Sequence, residues 1–195
     1  MKRIGITGGI ASGKSVVSEI IESLGFPVFY ADTVAKGFLI TDSEVKDFIQ
    51  SLIGPSAWLP TGEPNRPLIA AKVFSDDIFR EKLNKLVHPK VLISFEKFCR
   101  ENIHHRLVFH EAALIYQAGF DKYLDNVIFV SASESIRLER AIQRGNDPED
   151  IQKRIAAQGN LELFEHQSRF VIQNEGTREN LKVLINDIIR DLLER

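Results

Sequence analysis

The chain has few of the features that mark secreted or membrane proteins. It contains one cysteine, Cys99, in 195 residues, so no disulfide can form within it. No run approaches the roughly 18 consecutive apolar residues that a membrane-spanning helix needs. The apolar stretch behind Lys2 and Arg3 is interrupted at once by Gly5, unlike the core of a signal peptide. We therefore expect a soluble, cytoplasmic protein with no membrane association.

An excess of positive charge is also missing. The formal net charge is -2 and the sequence pI is near 6.2, which argues against sequence-independent nucleic-acid binding as the main activity. Hydrophobic residues make up 44% and charged residues 27%, a typical globular composition. The length suits one compact domain, or one domain with a sizeable insertion. No feature points to an obligate protein partner.

Short apolar runs alternate with stretches of helical periodicity, which predicts an α/β fold with a mainly parallel, five-stranded sheet flanked by helices. A helix from Ser15 to Leu24 should end at Gly25, and a last helix should span residues 177–193. The five predicted strands are RIGIT (3–7), PVFYAD (27–32), RLVFH (106–110), NVIFVSA (126–132) and RFVIQN (169–174).

Two segments depart from this alternation. Residues 33–104 hold several helical patterns and a Pro/Gly-rich loop without a strand, which predicts an inserted helical subdomain. Residues 144–165 are polar, with Asp147 and Pro148 placed to start a helix, and predict an exposed helical lid. The predicted core then comprises 1–32, 105–143 and 166–195.

The sequence Gly8–Ser15, GGIASGKS, matches the phosphate-loop pattern G-x-x-x-x-G-K-[ST]. Its glycines let successive N–H groups turn toward an anion, and the following helix adds a positive N-terminus. Lys14 can reach the β- and γ-phosphates of ATP, and the Ser15 hydroxyl can bind Mg²⁺. The alternative is an ordinary glycine-rich turn, but a strand precedes the pattern and a helix follows, which favours a P-loop NTPase-type fold. The predicted cofactor-binding residues are Gly8, Gly9, Ile10, Ala11, Ser12, Gly13, Lys14, Ser15, Val16 and Arg144.

The phosphate loop alone does not separate a kinase from a switch or a motor. A GTPase switch is disfavoured because no Asp is followed by Gly three places later, and NKLV (84–87) ends in Val where a guanine motif has Asp. A motor ATPase would have a strand ending in Asp-Glu, whereas LVFHE supplies only Glu111. A small-molecule kinase needs an acid near the acceptor, cations on the phosphoryl group and a lid, and the chain has a candidate for each.

The acid candidate is Asp32, which ends the second predicted strand at the edge where parallel sheets bind ligands. It could instead, or in addition, cap the following helix. The cation candidates are Arg137, Arg140 and Arg144, spaced to share one helix face. Such like-charge neighbours favour a polyphosphate partner over a solvated basic face, although both interpretations remain open.

These residues resemble the dephospho-CoA kinase family over nearly the whole chain. The resemblance lies in GITGGIASGKS, in YAD (30–32), in the stretch from Arg66 to the pair His88-Pro89, in RAIQR with RIAAQ (154–158), and in VIQNEG (171–176). It implies that ATP phosphorylates the ribose 3′-hydroxyl of dephospho-CoA to give coenzyme A, with Mg²⁺, a CoA-binding subdomain at 33–104 and a lid at 144–165. Other P-loop small-molecule kinases, or a regulatory ATPase module, are the alternatives.

The resemblance also implies roles for individual residues. Asp32 would face the 3′-hydroxyl with Thr7 close to it, and Arg140 would bind phosphate as a lid arginine, so that Asp32, Lys14 and Arg140 are the catalytic candidates. Arg66 and His88 would belong to the acceptor side. The chain departs from the family pattern at several positions. Glu111, a second candidate for Mg²⁺, stands where Asp is usual; ALIYQ (113–117), Gly145 and Ser168-Arg169 are the other departures.

Overall fold

The computed structural model describes residues 1–156, 158–159 and 161–194. Five parallel strands form one sheet in the order β2-β3-β1-β4-β5. The strands are β1 (Lys2–Gly8), β2 (Val28–Tyr30), β3 (Leu107–Glu111), β4 (Asn126–Ser131) and β5 (Phe170–Gln173). The helices are α1 (Lys14–Ser23), α2 (Ala31–Thr41), α3 (Ser43–Ile53), α4 (Arg66–Ser75), α5 (Asp77–Glu101), α6 (Glu134–Gln143), α7 (Pro148–Ala156), α8 (Leu161–Gln167) and α9 (Arg178–Glu194).

The predicted α/β class and five parallel strands are confirmed, but β2 is shorter than predicted. Only its three residues, Val28–Tyr30, pair with β3, and α2 begins at the next residue. Asp32 therefore does not end the strand; it lies in the first turn of α2. It is the second residue of that helix, so the alternative prediction that it caps the helix from the preceding position is wrong.

The core of the sheet is apolar because its central strands are covered on both faces. Ile4 and Ile6 of β1 are fully buried, and α1 and α9 pack against each other beside the sheet. The last helix buries one face at helical spacing, as its sequence pattern predicts. The buried residues of that face are Leu181, Ile185, Ile189 and Leu192.

One polar residue, His110 of β3, lies inside this apolar surrounding. Its ring is stacked on Phe29 at a centroid distance of 5.5 Å and on Phe120 at 4.7 Å. Burial lowers the pKa of His110 to about 4, because the charged imidazolium loses its hydration there. The side chain is thus neutral at neutral pH.

The chain divides into two compact units, residues 1–30 with 99–195, and residues 31–98. The second unit is helical, with α2, α3, α4 and most of α5, and holds its own core, in which Phe48 stacks on Phe79. Lys90 of α5 forms ion pairs with Asp42 at 2.9 Å and Glu44 at 2.8 Å. This compact unit covers residues 31–98, whereas the sequence predicts a helical subdomain over 33–104.

Two helices, α7 and α8, lie within residues 144–165 and just beyond. The N-terminus of α7 is capped as predicted, since the Asp147 carboxylate accepts hydrogen bonds from the N–H groups of Glu149 and Asp150, both at 3.0 Å.

Within the described ranges, no helix combines the length and apolarity that a membrane crossing requires.

Candidate active site

The phosphate loop, Gly8–Ser15, connects the end of β1 to the start of α1 and depends on two glycines. Gly8 has φ 147° and Gly13 has φ 101°, conformations that favour glycine. A Cβ at Gly8 would lie 2.1 Å from the carbonyl oxygen of Val130 on β4, and one at Gly13 would lie 2.0 Å from Nδ2 of Asn174. Both positions thus require glycine for conformation and for space.

Lys14, the first residue of α1, extends back over the loop. Its Nζ donates hydrogen bonds to the carbonyl oxygens of Gly8 and Gly9, both at 3.0 Å. These two bonds hold the ammonium group against the first turn of the loop. Ser15, the next residue of the helix, is exposed.

A long-range contact fixes the second half of the loop. Asn174, which follows β5, is buried and donates a hydrogen bond from Nδ2 to the carbonyl oxygen of Ser12 at 2.8 Å. The amide packs against Gly13, as the close approach of a Cβ there shows. Asn174 was not selected from the sequence; its position at the carboxyl end of a parallel strand was the available signal.

The three arginines of the predicted face have different surroundings. Arg137 is only 8% exposed, and Arg140 is half-buried, with Nη1 at 3.5 Å from the carbonyl oxygen of Ser12. Arg144 is exposed and lies just past the end of α6, where Gly145 adopts φ 84°. The prediction that all three share a helix face is therefore wrong for Arg144, because the helix stops before it.

Two further residues reach the first turn of the loop from the segment after α6. Gln158 accepts hydrogen bonds from the N–H of Ile10 at 2.8 Å and from Arg137 at 3.1 Å. Leu161 of α8 approaches Gly9, since a Cβ there would lie 3.1 Å from its Cδ1. Neither residue was selected from the sequence, although Gln158 ends the RIAAQ stretch.

The carboxyl ends of β1 and β3 carry two polar candidates. Thr7 is buried, and its Oγ1 donates to the carbonyl oxygen of Ala113 at 3.4 Å. Glu111, the last residue of β3, is also buried and lies in register with Ile6 of β1 and Tyr30 of β2. The pKa of Tyr30 is raised by burial, by its hydrogen bond to Glu22 and by the charge of Glu111.

The remaining candidates belong to the helical unit. Asp32 is exposed in the first turn of α2. Arg66 is the first residue of α4, and His88 is half-buried on α5, immediately before Pro89. Burial lowers the pKa of His88, which favours its neutral form.

A loop of this construction, set between the first strand of a parallel sheet and the helix that follows it, defines the P-loop class of nucleotide-binding proteins. Comparison with known proteins identifies the family. A family model described as dephospho-CoA kinase matches residues 2–180. The chain is 36% identical over 198 residues to the dephospho-CoA kinase of Chlorobaculum tepidum, covering 97% of this chain and 94% of that one. The chain therefore belongs to the dephospho-CoA kinase family.

Solved structures agree with the fold. A Thermus thermophilus protein superimposes with a TM-score of 0.83 and 30% identity, covering 98% of this chain and 97% of that one. A dephospho-CoA kinase from Campylobacter jejuni superimposes with a TM-score of 0.72 and 23% identity, covering 97% and 96% of the two chains. At that identity the second match supports the fold alone.

Proposed function

We propose that this chain transfers the γ-phosphoryl group of ATP to the ribose 3′-hydroxyl of dephospho-CoA, giving coenzyme A and ADP. Family membership supports this reaction, and the geometry of the phosphate loop is the structural observation that carries it. In the reaction the 3′-oxygen forms a bond to the γ-phosphorus, and the bond from that phosphorus to the β,γ-bridging oxygen breaks. The proton of the hydroxyl group leaves to a base.

The donor side is supplied by the loop and by α6. Backbone N–H groups of the loop and the N-terminus of α1 favour bound phosphate, and Lys14 neutralises the β- and γ-phosphates. Arg140, whose guanidinium already lies near Ser12, is the arginine we assign to the transferred phosphoryl group. Arg144, exposed beyond α6, would reach ATP from the segment 144–165, for which we propose the role of a lid.

The acceptor side rests on the family resemblance and on the chemistry of the side chains. Asp32 is exposed and able to accept a hydrogen bond, so we assign it to orient the 3′-hydroxyl and take its proton as the new bond forms. Arg66 supplies a cation suited to the acceptor's phosphates. His88, favoured in its neutral form, suits a hydrogen-bonding role, and Thr7 is the further acceptor-side residue that the resemblance implies.

The residues present fit a magnesium ion as part of the nucleotide complex. Mg²⁺ prefers hard oxygen ligands and is commonly held by one or two protein groups together with phosphates and water. The exposed hydroxyl of Ser15 and the carboxylate of Glu111 offer such oxygens. When bound, the ion would neutralise charge on the phosphate oxygens.

The test is an acceptor panel. ATP and Mg²⁺ are offered with dephospho-CoA, AMP, uridine or shikimate, and ADP formation is measured. We expect turnover with dephospho-CoA and a product phosphorylated at the 3′-position. A preference for another acceptor would refute the assignment. The Lys14→Ala variant is the control, because loss of the ammonium should abolish most turnover while circular dichroism stays unchanged.

The single cysteine, which is buried, agrees with the reducing cytoplasm that we propose as the location.

A further inference from the structure

The side-chain amide of Gln158 joins three parts of the nucleotide-binding unit. Its Oε1 accepts a hydrogen bond from the backbone N–H of Ile10, at 2.8 Å, in the first turn of the phosphate loop. The same oxygen accepts a second from Nη1 of Arg137 on α6, at 3.1 Å. A single uncharged acceptor thus links the segment after α7 to the loop and to a buried arginine.

Arg137 is placed against the loop itself. A Cβ at Gly9 would lie 2.6 Å from Nη1 and 3.2 Å from Cζ of this arginine, so the guanidinium occupies the space that a side chain at Gly9 would need. The side chain is 8% exposed, and burial lowers the pKa of Arg137, with the carboxylate of Glu134 opposing that change. The positive charge lies next to the loop that binds phosphate.

Apolar side chains of α6 and α7 also pack against the first turn of the phosphate loop. Ile151 and Ile155 of α7 form a small core with Ala141 of α6, and Ile10 and Ala11 pack against it. Gln158 lies two residues beyond the last residue of this helix, and its N–H donates a hydrogen bond to the carbonyl oxygen of Ile155 at 3.2 Å, which keeps its amide near Ile10. The hydrogen bond between Gln158 and Ile10 therefore lies beside this packed cluster of α6 and α7.

The hydrogen-bond acceptor at position 158 is a neutral amide, and a carboxylate could accept the same two bonds. A purely structural contact would tolerate either group, whereas nucleotide binding would not. A carboxylate would make a stronger, charge-assisted bond to Arg137. It would also neutralise the arginine and place a negative charge close to the bound phosphates, where low dielectric strengthens repulsion. A neutral amide makes both hydrogen bonds without that penalty.

Other charges face the same region. Glu162 and Glu165 line a cavity of about 250 Å³ together with Gly9 and Arg137. Glu165 already accepts hydrogen bonds from Ser131 at 3.1 Å and from the Gln173 amide at 3.0 Å, which holds its carboxylate on the strand side. A carboxylate at position 158 would therefore add a third negative charge to a region where Arg137 already faces two carboxylates.

We propose that Gln158 is a positioning residue for ATP. Its uncharged amide holds the first turn of the phosphate loop and the Arg137 guanidinium in the arrangement that receives the polyphosphate, and it ties segment 144–165 to the loop. The inference rests on the proposed function only in requiring that ATP binds to this loop.

The test measures ATP affinity by calorimetry without any acceptor, together with thermal stability. Gln158→Glu should weaken ATP binding roughly 10- to 100-fold while the melting temperature stays the same or rises. Gln158→Leu, which removes the acceptor without adding charge, should weaken binding by a smaller factor. Gln152→Glu adds the same charge at an exposed position of α7 and should bind ATP as the wild type does. In turnover assays, KM for ATP should rise in Gln158→Glu while KM for the acceptor stays constant.

Equal ATP affinity in the wild type and both Gln158 variants would overturn the inference and leave Gln158 as a purely structural contact. Weakening by Gln158→Leu alone, with Gln158→Glu unaffected, would overturn the argument from charge. A wild-type protein that binds no ATP would overturn the proposed function itself, so the two failures give different results.

Discussion

Replacing Gly13 with alanine tests how the phosphate loop is held in place. The new Cβ would lie 2.0 Å from Nδ2 of Asn174, and the residue would keep φ 101°. The substitution thus combines backbone strain with displacement of an amide whose hydrogen bond to the carbonyl oxygen of Ser12 is 2.8 Å long and buried. Gly25 offers a matched control, because it has φ 86° and a Cβ added there would meet no atom within 4 Å.

The two substitutions separate the two contributions. Strain of an alanine in the left-handed region should destabilise either variant by roughly 1–2 kcal/mol. Loss of a buried hydrogen bond adds roughly 1–3 kcal/mol for Gly13→Ala alone. We therefore expect Gly13→Ala to lower the free energy of unfolding more than Gly25→Ala does. The extra loss should be close to the loss of unfolding free energy that Asn174→Ala causes by itself.

Urea unfolding of the wild type and the three single variants, with the double variant Gly13→Ala/Asn174→Ala, measures this directly. In the double variant the clash is absent, so Gly13→Ala should then cost about the same as Gly25→Ala. ATP affinity should fall in Gly13→Ala and in Asn174→Ala but not in Gly25→Ala. If Gly13→Ala destabilises no more than Gly25→Ala, the Asn174 contact does not hold the loop and the reasoning is refuted.

Three further predictions concern catalysis and pH. Asp32→Asn should leave ATP binding unchanged but lower kcat by roughly 10²- to 10⁴-fold, because an amide cannot take the hydroxyl proton; a fully active variant in steady-state assays would exclude the catalytic role. Arg140→Lys keeps the charge but loses the planar fork, so kcat should fall strongly with an unchanged melting temperature, and retained activity would favour a surface role. For His110 the folded pKa of about 4 lies below the ordinary value of 6.5, so the unfolded chain binds the proton more readily. Stability from this residue is complete above pH 6.5 and is lost as the pH falls toward 4, by up to about 3 kcal/mol. His110→Phe should flatten that part of the stability profile in unfolding experiments, and an unaltered profile would contradict the prediction.

The sequence by itself determined the features that depend on neighbouring residues. A strand, a glycine-rich turn and a helix follow one another in residues 2–23, so the phosphate loop could be predicted from its pattern, with Lys14 in place. The capping of α7 by Asp147 was equally local. The fold class followed from the alternation of apolar runs and helical periods, since each strand of a parallel sheet is buried in its own right.

Element ends were less well predicted, because a boundary depends on what the neighbouring strand can pair with. Pairing of β2 with β3 stops at Tyr30, which moves Asp32 from a strand into α2. The end of α6 before Arg144 likewise removes one arginine from the predicted face. In both cases the sequence identified a chemically suitable residue and placed it in the wrong element.

Only the tertiary structure showed how the loop is held. Asn174 and Gln158 lie well over a hundred residues from the loop atoms they contact. They belong to the VIQNEG and RIAAQ stretches, but nothing in those stretches indicates which side chain contacts the loop. The burial of Arg137 against Gly9 also became visible only in the tertiary structure. Arg137 and Arg140 lie three residues apart on one helix, and their spacing does not indicate which of the two is buried. Local patterns determine which backbone forms the phosphate site, whereas contacts between distant segments decide which side chains fix it, because those contacts exist only once the strands and helices have packed.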